Sequence, residues 1–364
     1  LIGFAESSIF KVAEGHVKRS VQSAKDILDA TIKQIEEASK KGGAFNGVPS
    51  GFMDLDRLTL GWQPSDLIIV AARPAMGKTA FVLSMARNMA VEHENGVAFF
   101  SLEMSATQLM MRLVVAETGL KSSDIRSGRL TPEQWRHLEV KSKPLGNAPI
   151  FIDDTPALSV FEFRSKARRL KLTNDIKIII IDYLQLMTGP QDSKGNREQE
   201  VAFISRTLKA IAKELNVPII ALSQLNRTTE SRGGSKRPQL SDLRESGAIE
   251  QDADIVAFIH RPEYYGMTVT AEGVPTAGMA EIIVAKHRNG AVDTINLRFL
   301  NDQARFADMD VAGVPLGGNA PTPQYEDYAS EAMTGGAAMG DPLGALPNNE
   351  FDLSTPAPTE DAPF

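Results

Sequence analysis

Leu67-Ile68-Ile69-Val70-Ala71 leads directly into Ala72-Arg73-Pro74-Ala75-Met76-Gly77-Lys78-Thr79, and this segment is the strongest indication of the fold. Its second half follows the phosphate-loop pattern G-x-x-x-x-G-K-[ST] except at Ala72, which stands at the position of the first glycine. An apolar run typical of a buried strand precedes the loop, and an apolar run typical of a helix follows it. This context favours a phosphate-binding loop over a chance Gly-Lys-Thr in a turn.

The loop predicts a nucleotide site and its cofactors. Gly77 permits a tight turn, so that backbone N–H groups and the N-terminus of the following helix face phosphate oxygens. We expect Lys78 to reach the β and γ phosphates and the Thr79 hydroxyl to bind Mg²⁺. ATP and Mg²⁺ are therefore the predicted cofactors. The predicted nucleotide-binding residues form one continuous segment: Ala72, Arg73, Pro74, Ala75, Met76, Gly77, Lys78 and Thr79.

Two carboxylates at strand ends complete the predicted site. Asp182 ends the apolar run that begins at Ile178, which is the form of a Walker B strand, although a lone Asp in this position is also typical of a helix cap or a turn. Glu103 follows the run Val97–Ser101, whose end lies beside the phosphate loop if the sheet is parallel. Hydrolysis needs a group that orients or activates water, and Glu103 is the candidate. An acid in the first turn of a helix is the alternative for Glu103.

Six apolar runs predict the strands of a central sheet. They are continuous rather than alternating, as is typical of strands that are buried on both faces. The runs are 67–71, 97–101, 149–153, 176–182, 218–223 and 254–259. Helical segments lie between most of them, so the sequence predicts an α/β domain with a mainly parallel sheet. The runs 280–288 and 291–299, separated by Asn289-Gly290, predict an antiparallel hairpin that closes the sheet edge.

The two ends of the chain differ from this domain. Residues 1–40 predict a helix with one apolar stripe, which packs either on its own domain or on a neighbouring subunit. The stripe consists of Val17, Val21, Ala24, Leu28, Ile32 and Ile35. Residues 311–364 hold 8 Pro, 7 Gly and eight acidic residues but no Lys or Arg, so we expect a disordered tail that serves as a spacer rather than as a partner-binding segment.

Composition excludes several classes of protein. The 364 residues include no cysteine, which rules out disulfides and thiolate zinc sites, and no run approaches the length needed to span a bilayer. We therefore expect a cytoplasmic protein without a membrane partner. Removing the tail's eight acidic residues from the 46 in the chain leaves 39 basic against 38 acidic residues, so the rest of the chain is almost neutral. The chain begins at Leu1 rather than Met, so we expect a fragment or a processed chain.

Several motifs together resemble one family. In chain order they are Gly47–Phe52, Asp54–Asp56, Ala72–Thr79, Ser101–Met104, Ile180–Leu186, Leu222–Arg227, Asp242–Asp254 and Lys286–Gly290. This series is similar to the RecA-like motor domain of bacterial replicative DNA helicases, the DnaB family, in which Ala commonly replaces the first phosphate-loop Gly. The resemblance implies a linker helix region at 1–43, a motor domain at 44–308 and the tail at 309–364. It also implies that the family's N-terminal helical domain is missing here.

The resemblance assigns expected roles to matching residues. Glu103 is the expected catalytic glutamate, Asp182 the Mg²⁺-linked acid, and Gln224 the sensor of the γ-phosphate. Lys286 and Arg288 resemble a basic pair that reaches the ATP site of the adjacent subunit. From the residues alone, a solvated hairpin face is the alternative for this pair.

The resemblance also implies a DNA-binding segment. Arg244, Glu245 and Gly247 resemble the loop that follows the backbone of single-stranded DNA, although an ordinary loop with an Arg–Glu pair is the alternative. Asn226–Arg237, which is rich in basic residues, is expected to face nucleic acid as well. The absence of interleaved aromatic residues argues against base stacking as its main contact.

The implied protein is a homohexameric, ATP-driven helicase. Its expected partners are single-stranded DNA, further copies of the chain, a primase and a helicase loader. Two alternatives remain at this point. One is a RecA-type recombination or repair ATPase that forms filaments, and the other is a scaffold for a primase or loader that uses ATP only to assemble.

Overall fold

A computed structural model describes residues 23–40, 47–189, 197–225, 236–270 and 273–309; within residues 244–247 and part of the first helix it describes the backbone alone. The helices are α1 Ala24–Lys40, α2 Met53–Thr59, α3 Lys78–Arg87, α4 Ala106–Thr118, α5 Ser122–Ser127, α6 Pro132–Asn147, α7 Val160–Asn174, α8 Arg197–Leu215 and α9 Gly247–Asp252. Short 3-10 helices cover Leu184–Leu186, Leu240–Ser246, Pro262–Tyr265 and Asn301–Gln303. Among the described helices, none combines the length and the apolar character that a bilayer crossing requires.

Nine strands form a single mixed sheet. They are β1 Leu67–Ala72, β2 Val97–Ser101, β3 Ile150–Asp153, β4 Ile178–Asp182, β5 Ile219–Gln224, β6 Ile255–His260, β7 Met279–His287, β8 Asp293–Leu300 and β9 Arg305–Asp308. Their order across the sheet is β3-β2-β4-β5-β1-β6-β7-β8-β9. The first six strands of this order pair in parallel, and the last three pair antiparallel. The predicted α/β fold with a mainly parallel sheet is confirmed.

Both faces of the parallel strands are covered, which explains their continuous apolar sequences. All six residues of β1 are fully buried. Ile68 and Val70 face the side that α3 and α4 cover, whereas Leu67 and Ile69 face the side that α7, α8 and α9 cover. Fully burying one such side chain stabilises the fold by roughly 1.5–3 kcal/mol. This central strand therefore gives the loop at its carboxyl end a rigid support.

The sheet order brings four strand ends together at one edge. β1 pairs with β5 so that Ala72 lies opposite Gln224, and β2 pairs with β4 so that Ser101 lies opposite Asp182. In open parallel sheets, ligands bind beyond the carboxyl ends of the strands. The phosphate loop leaves β1 at this edge.

The C-terminal end of the sheet differs from the prediction in two ways. The hairpin of β7 and β8 is present, but its connection runs over residues 288–292 and is longer than an Asn-Gly turn alone. The prediction that this hairpin closes the sheet edge is wrong, because β9 pairs with β8 and forms the edge. β9 has only four residues, too few to show a hydrophobic period, and Phe306 is its one fully buried side chain.

Part of the apolar stripe of α1 is exposed to solvent. Ser23 precedes α1, and its hydroxyl accepts from the backbone N–H of Asp26 at 3.1 Å while donating to the Asp26 carboxylate at 2.7 Å. This pair fixes the start of the helix. Leu28 is 58% exposed and Ile32 is 45% exposed, so these two residues of the stripe are not buried on their own domain.

Candidate functional site

The phosphate loop joins the end of β1 to the start of α3. Gly77 precedes the helix with φ of 94°, a conformation that favours glycine. A Cβ at this position would also lie 3.2 Å from the Phe306 ring. Ala72, by contrast, is the last residue of β1 and is paired with Gln224 in extended conformation, so a side chain is tolerated there. The departure from the strict loop pattern therefore has no conformational cost.

Lys78, Thr79 and Asp182 converge at the mouth of the loop. The Thr79 hydroxyl donates to the Asp182 carboxylate at 2.8 Å, which joins the first turn of α3 to the end of β4. The Lys78 ammonium donates to the Ala72 carbonyl at 3.2 Å and so folds back over the loop. Asp182 is only 1% exposed. The sequence predicts these three residues in one site, and the geometry brings them together.

Burial and neighbouring charges shift the pKa values of Asp182 and Lys78. Burial raises the pKa of Asp182, and the nearby Glu103 carboxylate raises it further, against the Thr79 hydrogen bond and the Lys78 charge, which lower it. Burial lowers the pKa of Lys78, while Asp182 and Glu103 raise it. The main cause of both pKa shifts is burial, which removes water from the ionised forms of Asp182 and Lys78. A bound divalent cation would favour the ionised carboxylate.

A magnesium ion fits the donor atoms present here. A hydroxyl and a carboxylate oxygen are hard ligands of the kind Mg²⁺ prefers, and Mg²⁺ usually takes one or two protein ligands plus phosphate oxygens and water. Within the described parts of the chain, no group of three or more His, Cys, Asp or Glu side chains is placed to hold a metal by itself. The geometry therefore suits a cation that arrives with the nucleotide.

Glu103 lies at the same edge, beyond the end of β2. The Ser101 hydroxyl donates to the Met104 carbonyl at 2.6 Å and accepts from the Met104 N–H at 3.2 Å, which closes the turn that carries Glu103. The Leu102 N–H donates to the Asp182 carbonyl at 2.7 Å and fixes this turn to β4. Glu103 itself is exposed and lines the cleft above the loop. Its carboxylate is therefore open to the solvent in the cleft.

Gln224 ends β5 and is held by a residue that the sequence analysis did not single out. The Gln185 side-chain amide donates to the Ser223 hydroxyl at 2.8 Å and to the Gln224 carbonyl at 3.4 Å, and its oxygen accepts from the Gln224 N–H at 3.3 Å. Arg73 holds the next residue, because its guanidinium donates to the Leu225 carbonyl at 3.0 Å. Gln185 stands three residues after Asp182, and only the fold shows that it faces β5.

A cleft of about 970 Å³ opens over these residues. Its lining includes the phosphate loop, Glu103 and Gln224. The lining also includes Arg112, Arg126 and the 3-10 helix Asn301–Gln303, which the sequence analysis missed. These residues come from three distant segments without a shared motif, so their proximity follows from the fold alone.

Lys286 and Arg288 are not among the residues that line this cleft. They lie on the side of the sheet opposite the phosphate loop, near the amino-terminal ends of the parallel strands, where the end of β7 pairs with the start of β6. Lys286 donates to the Glu250 carbonyl and, at 3.4 Å, to the Gln251 carbonyl, and Arg288 also donates to the Gln251 carbonyl. Both side chains therefore rest on the last turn of α9, and Arg288 is exposed to solvent there.

The predicted DNA-binding residues are described only in part. Arg244 and Glu245 lie in the 3-10 helix Leu240–Ser246, and Gly247 begins α9. Of the predicted basic loop, residues 226–235 lie outside the described residues. Arg237 is described, and its guanidinium donates to the Thr294 hydroxyl at 2.7 Å and contacts Glu281 at 3.1 Å.

One family model and several curated relatives match this chain. The family model for the DnaB-like helicase C-terminal domain matches residues 47–308. The chain is 48% identical over 321 residues to the replicative DNA helicase DnaC of Bacillus subtilis (strain 168), covering 87% of this chain and 69% of that protein. It is equally similar, with the same coverage, to the replicative DNA helicase DnaB of Geobacillus stearothermophilus.

Two solved structures share the fold. One is an ATPase domain that superposes with a TM-score of 0.73 at 39% identity, covering 80% of this chain and all of that one. The other is a DnaB-like replicative helicase, solved to show its interactions with primase. It superposes with a TM-score of 0.73 at 37% identity, covering 84% of this chain and 71% of that one.

Proposed function

Because the chain belongs to the DnaB-like helicase C-terminal domain family, we propose that its cleft binds Mg²⁺-ATP at the subunit interfaces of a homohexamer that moves along single-stranded DNA. The chain is the motor part of a replicative DNA helicase, and such helicases are ATP-hydrolysing enzymes. The observation that carries the proposal is the convergence of Lys78, Thr79, Asp182 and Glu103 at one edge of the sheet.

Each residue of this group has a distinct proposed task. Lys78 leaves the Ala72 carbonyl and places its charge between the β and γ phosphates. Thr79 and Asp182 would hold Mg²⁺, which supplies charge neutralisation for the phosphates when it is bound. Glu103 accepts a proton from, or orients, the water that attacks the γ-phosphate. The backbone N–H groups of the loop carry the remaining negative charge.

We expect Glu103→Gln to bind ATP normally and to hydrolyse it slowly. Glutamine keeps the size of the side chain but cannot take a proton, and the loss of a positioned base lowers a rate by about 10²–10⁴-fold. The measurement is DNA-stimulated phosphate release together with the affinity for a fluorescent ATP analogue. Glu94→Gln, on the turn before β2, is the matched control and should hydrolyse ATP at the wild-type rate. Turnover of Glu103→Gln within about threefold of wild type would remove Glu103 from the mechanism.

Gln224 is the proposed sensor of the γ-phosphate. Its side chain is exposed at the cleft, and its backbone is bonded to Gln185. A shift of Gln224 toward a phosphate oxygen would therefore displace Gln185, which follows β4, and the residues that follow β5. The second of these leads into the proposed DNA-facing residues, so the arrangement suits a sensor that communicates with DNA.

We expect Gln185→Ala to lower the DNA-stimulated kcat by about tenfold. Losing the hydrogen bonds of Gln185 should raise the activation free energy by roughly 1.4 kcal/mol, which corresponds to a tenfold change in rate. The KM for ATP should stay within about twofold, because Gln185 touches no residue of the phosphate loop in the contacts described. Gln63→Ala is the control, since the Gln63 amide bonds the Leu60 and Gly61 carbonyls of a remote turn. An unchanged kcat in Gln185→Ala would mean that the position of Gln224 does not limit the reaction.

Lys286 and Arg288 are proposed to complete the ATP site of the next subunit. Their place at the edge of the sheet opposite the phosphate loop makes them unsuited to their own cleft. A ring arranged head to tail presents this edge to the cleft of a neighbour. A cation supplied in this way neutralises charge that develops on the transferred phosphoryl group.

The remaining partners follow from the same assembly. The proposed contacts to single-stranded DNA come from Arg244, Glu245 and Gly247, where a cation and a close backbone approach suit phosphates without reading sequence. The exposed residues Leu28 and Ile32 of α1 would dock on an adjacent subunit. A primase and a helicase loader are further proposed partners; a structural relative was solved to show its interactions with primase.

A further inference from the structure

The last turn of α9 holds the two cations through its backbone. The carbonyls of the last turn of a helix have no partner within the helix and need donors from elsewhere. Here Lys286 donates to the carbonyls of Glu250 and Gln251, and Arg288 donates to that of Gln251. Cations are also favoured at a helix C-terminus. The orientation of both side chains therefore depends on the position of this backbone.

A second set of contacts anchors Arg288 to the start of β6. The Arg288 N–H donates to the Asp254 carbonyl at 2.9 Å, and its guanidinium lies 3.6 Å from the Asp254 carboxylate. Asp254 is itself fixed, because its carboxylate accepts from the Leu67 N–H at 2.8 Å and pairs with Lys209 of α8. Thus the backbone of Arg288 is anchored to the central sheet, whereas its side chain is shared between the sheet and α9.

The other end of α9 continues the proposed DNA-binding segment. The 3-10 helix Leu240–Ser246 runs into Gly247 without an intervening loop. At about 1.5 Å per residue, the six residues of α9 separate its two ends by only about 9 Å. Ile249 and Ala253 are fully buried in the core that includes α8, so the helix rests on α8 along one face. A displacement at Gly247 is therefore carried to the carbonyls of residues 250 and 251 within about one turn.

We propose that α9 is the element that couples DNA contact in one subunit to ATP hydrolysis in the next. DNA phosphates that engage the segment before Gly247 shift α9, its last carbonyls move with it, and Lys286 and Arg288 are re-aimed toward the neighbouring cleft. The inference rests on the proposed roles of the DNA-binding segment and of the basic pair. What it adds is the physical link between them, which consists of backbone carbonyls rather than side chains.

The test compares two pairs of substitutions at the same two positions. Glu250→Ala/Gln251→Ala removes both side chains but keeps a stable helix, because alanine is the best helix former. Glu250→Gly/Gln251→Gly removes the same side chains and loosens the last turn, because glycine is the least favourable residue in a helix apart from proline. The readout is the ratio of ATP turnover with saturating single-stranded oligonucleotide to turnover without it.

We expect the alanine pair to keep this ratio within about twofold of wild type and the glycine pair to lower it by at least about fivefold. Binding of a labelled oligonucleotide, measured by fluorescence anisotropy, should be equal in the two pairs because the DNA-binding segment is intact in both. Thermal unfolding identifies a glycine pair that fails to fold. In that case Gln251→Gly alone is compared with Gln251→Ala and should lower the ratio by a smaller factor.

Two outcomes overturn the proposal. One is a ratio that stays at the wild-type value in both the glycine and the alanine variants, which would show that the order of the last turn does not matter. The other is an equal loss in both, which would assign the effect to the side chains. Lys286→Ala/Arg288→Ala is measured in parallel, and full activity of that variant would refute the proposed function of the basic pair itself. If Lys286→Ala/Arg288→Ala is inactive while the alanine and glycine pairs have equal turnover ratios, the coupling through α9 is refuted and the proposed function of the basic pair stands.

Discussion

Lys286→Ala/Arg288→Ala should lower the kcat of DNA-stimulated ATP hydrolysis by about 10³- to 10⁵-fold, the range known for a cation supplied in trans to a transferring phosphoryl group. The physical reason is the loss of two positive charges that meet charge developing on the γ-phosphate oxygens. ATP binding should weaken far less, because Lys78 and the loop N–H groups hold the ground-state nucleotide. The measurement is steady-state phosphate release with saturating oligonucleotide, together with the affinity for a fluorescent ATP analogue.

The matched control lies on the adjacent strand of the same hairpin. Arg298 is an exposed cation of β8 that does not line the cleft. Arg298→Ala should turn over ATP within about twofold of wild type, because surface substitutions usually change stability by less than about 0.5 kcal/mol. A basic pair that merely faces solvent would give the double variant the same near-normal rate as this control. Such a result would restore the interpretation of these residues as a solvated hairpin face.

Lys78→Ala is the second substitution with a very large expected effect. Without the ammonium, the Asp182 and Glu103 carboxylates lose a nearby positive charge, and the phosphates lose their proposed contact with it. The loss of one preorganised charge contact costs about 10²–10³ in kcat, and weaker nucleotide binding adds to it, so ATP hydrolysis and duplex unwinding should fall to background. Phosphate release and strand displacement from a forked duplex measure the two activities.

Lys177→Ala provides the control for the loss of a lysine. Lys177 lies just before β4 and pairs with the exposed Asp175 at 2.7 Å, away from the cleft. Wild-type activity in that variant and none in Lys78→Ala would place the effect at the phosphate loop. DNA-stimulated hydrolysis that survives in Lys78→Ala would contradict the placement of the hydrolytic site at this phosphate loop.

The sequence predicts those parts of the fold that rest on strong periodic or apolar signals. The Ile178–Ile181 run is buried on both faces and lies in a central strand, and the predicted strand Val97–Ser101 matches the observed one to the residue. β9 was missed because four residues carry no period. The true edge of the sheet, and the strand order that sets Ser101 beside Asp182, depend on pairing between distant segments, which no local pattern reports.

The candidate site divides in the same way. Gly77, Lys78 and Thr79 are recognisable because phosphate binding constrains consecutive residues, and a carboxylate after a buried strand is a strong companion signal. Gln185 carries no such signal, since an amide that bonds another strand looks like any surface glutamine in sequence. The contact of Lys286 with the last carbonyls of α9 was likewise unpredictable, because its acceptors are backbone atoms that every sequence provides.

The central claim is that each ATP site is shared by two subunits, and mixing two inactive variants tests it most directly. Lys78→Ala subunits lack a working loop but keep Lys286 and Arg288, whereas Lys286→Ala/Arg288→Ala subunits have the reverse defect. In rings assembled at random from equal amounts, about a quarter of the interfaces join an intact loop to an intact basic pair, because head-to-tail interfaces use different surfaces of the two subunits. We predict that the mixture recovers DNA-stimulated hydrolysis that neither parent shows. A mixture that forms joint rings, verified by native mass spectrometry, yet stays as inactive as its parents would contradict the account.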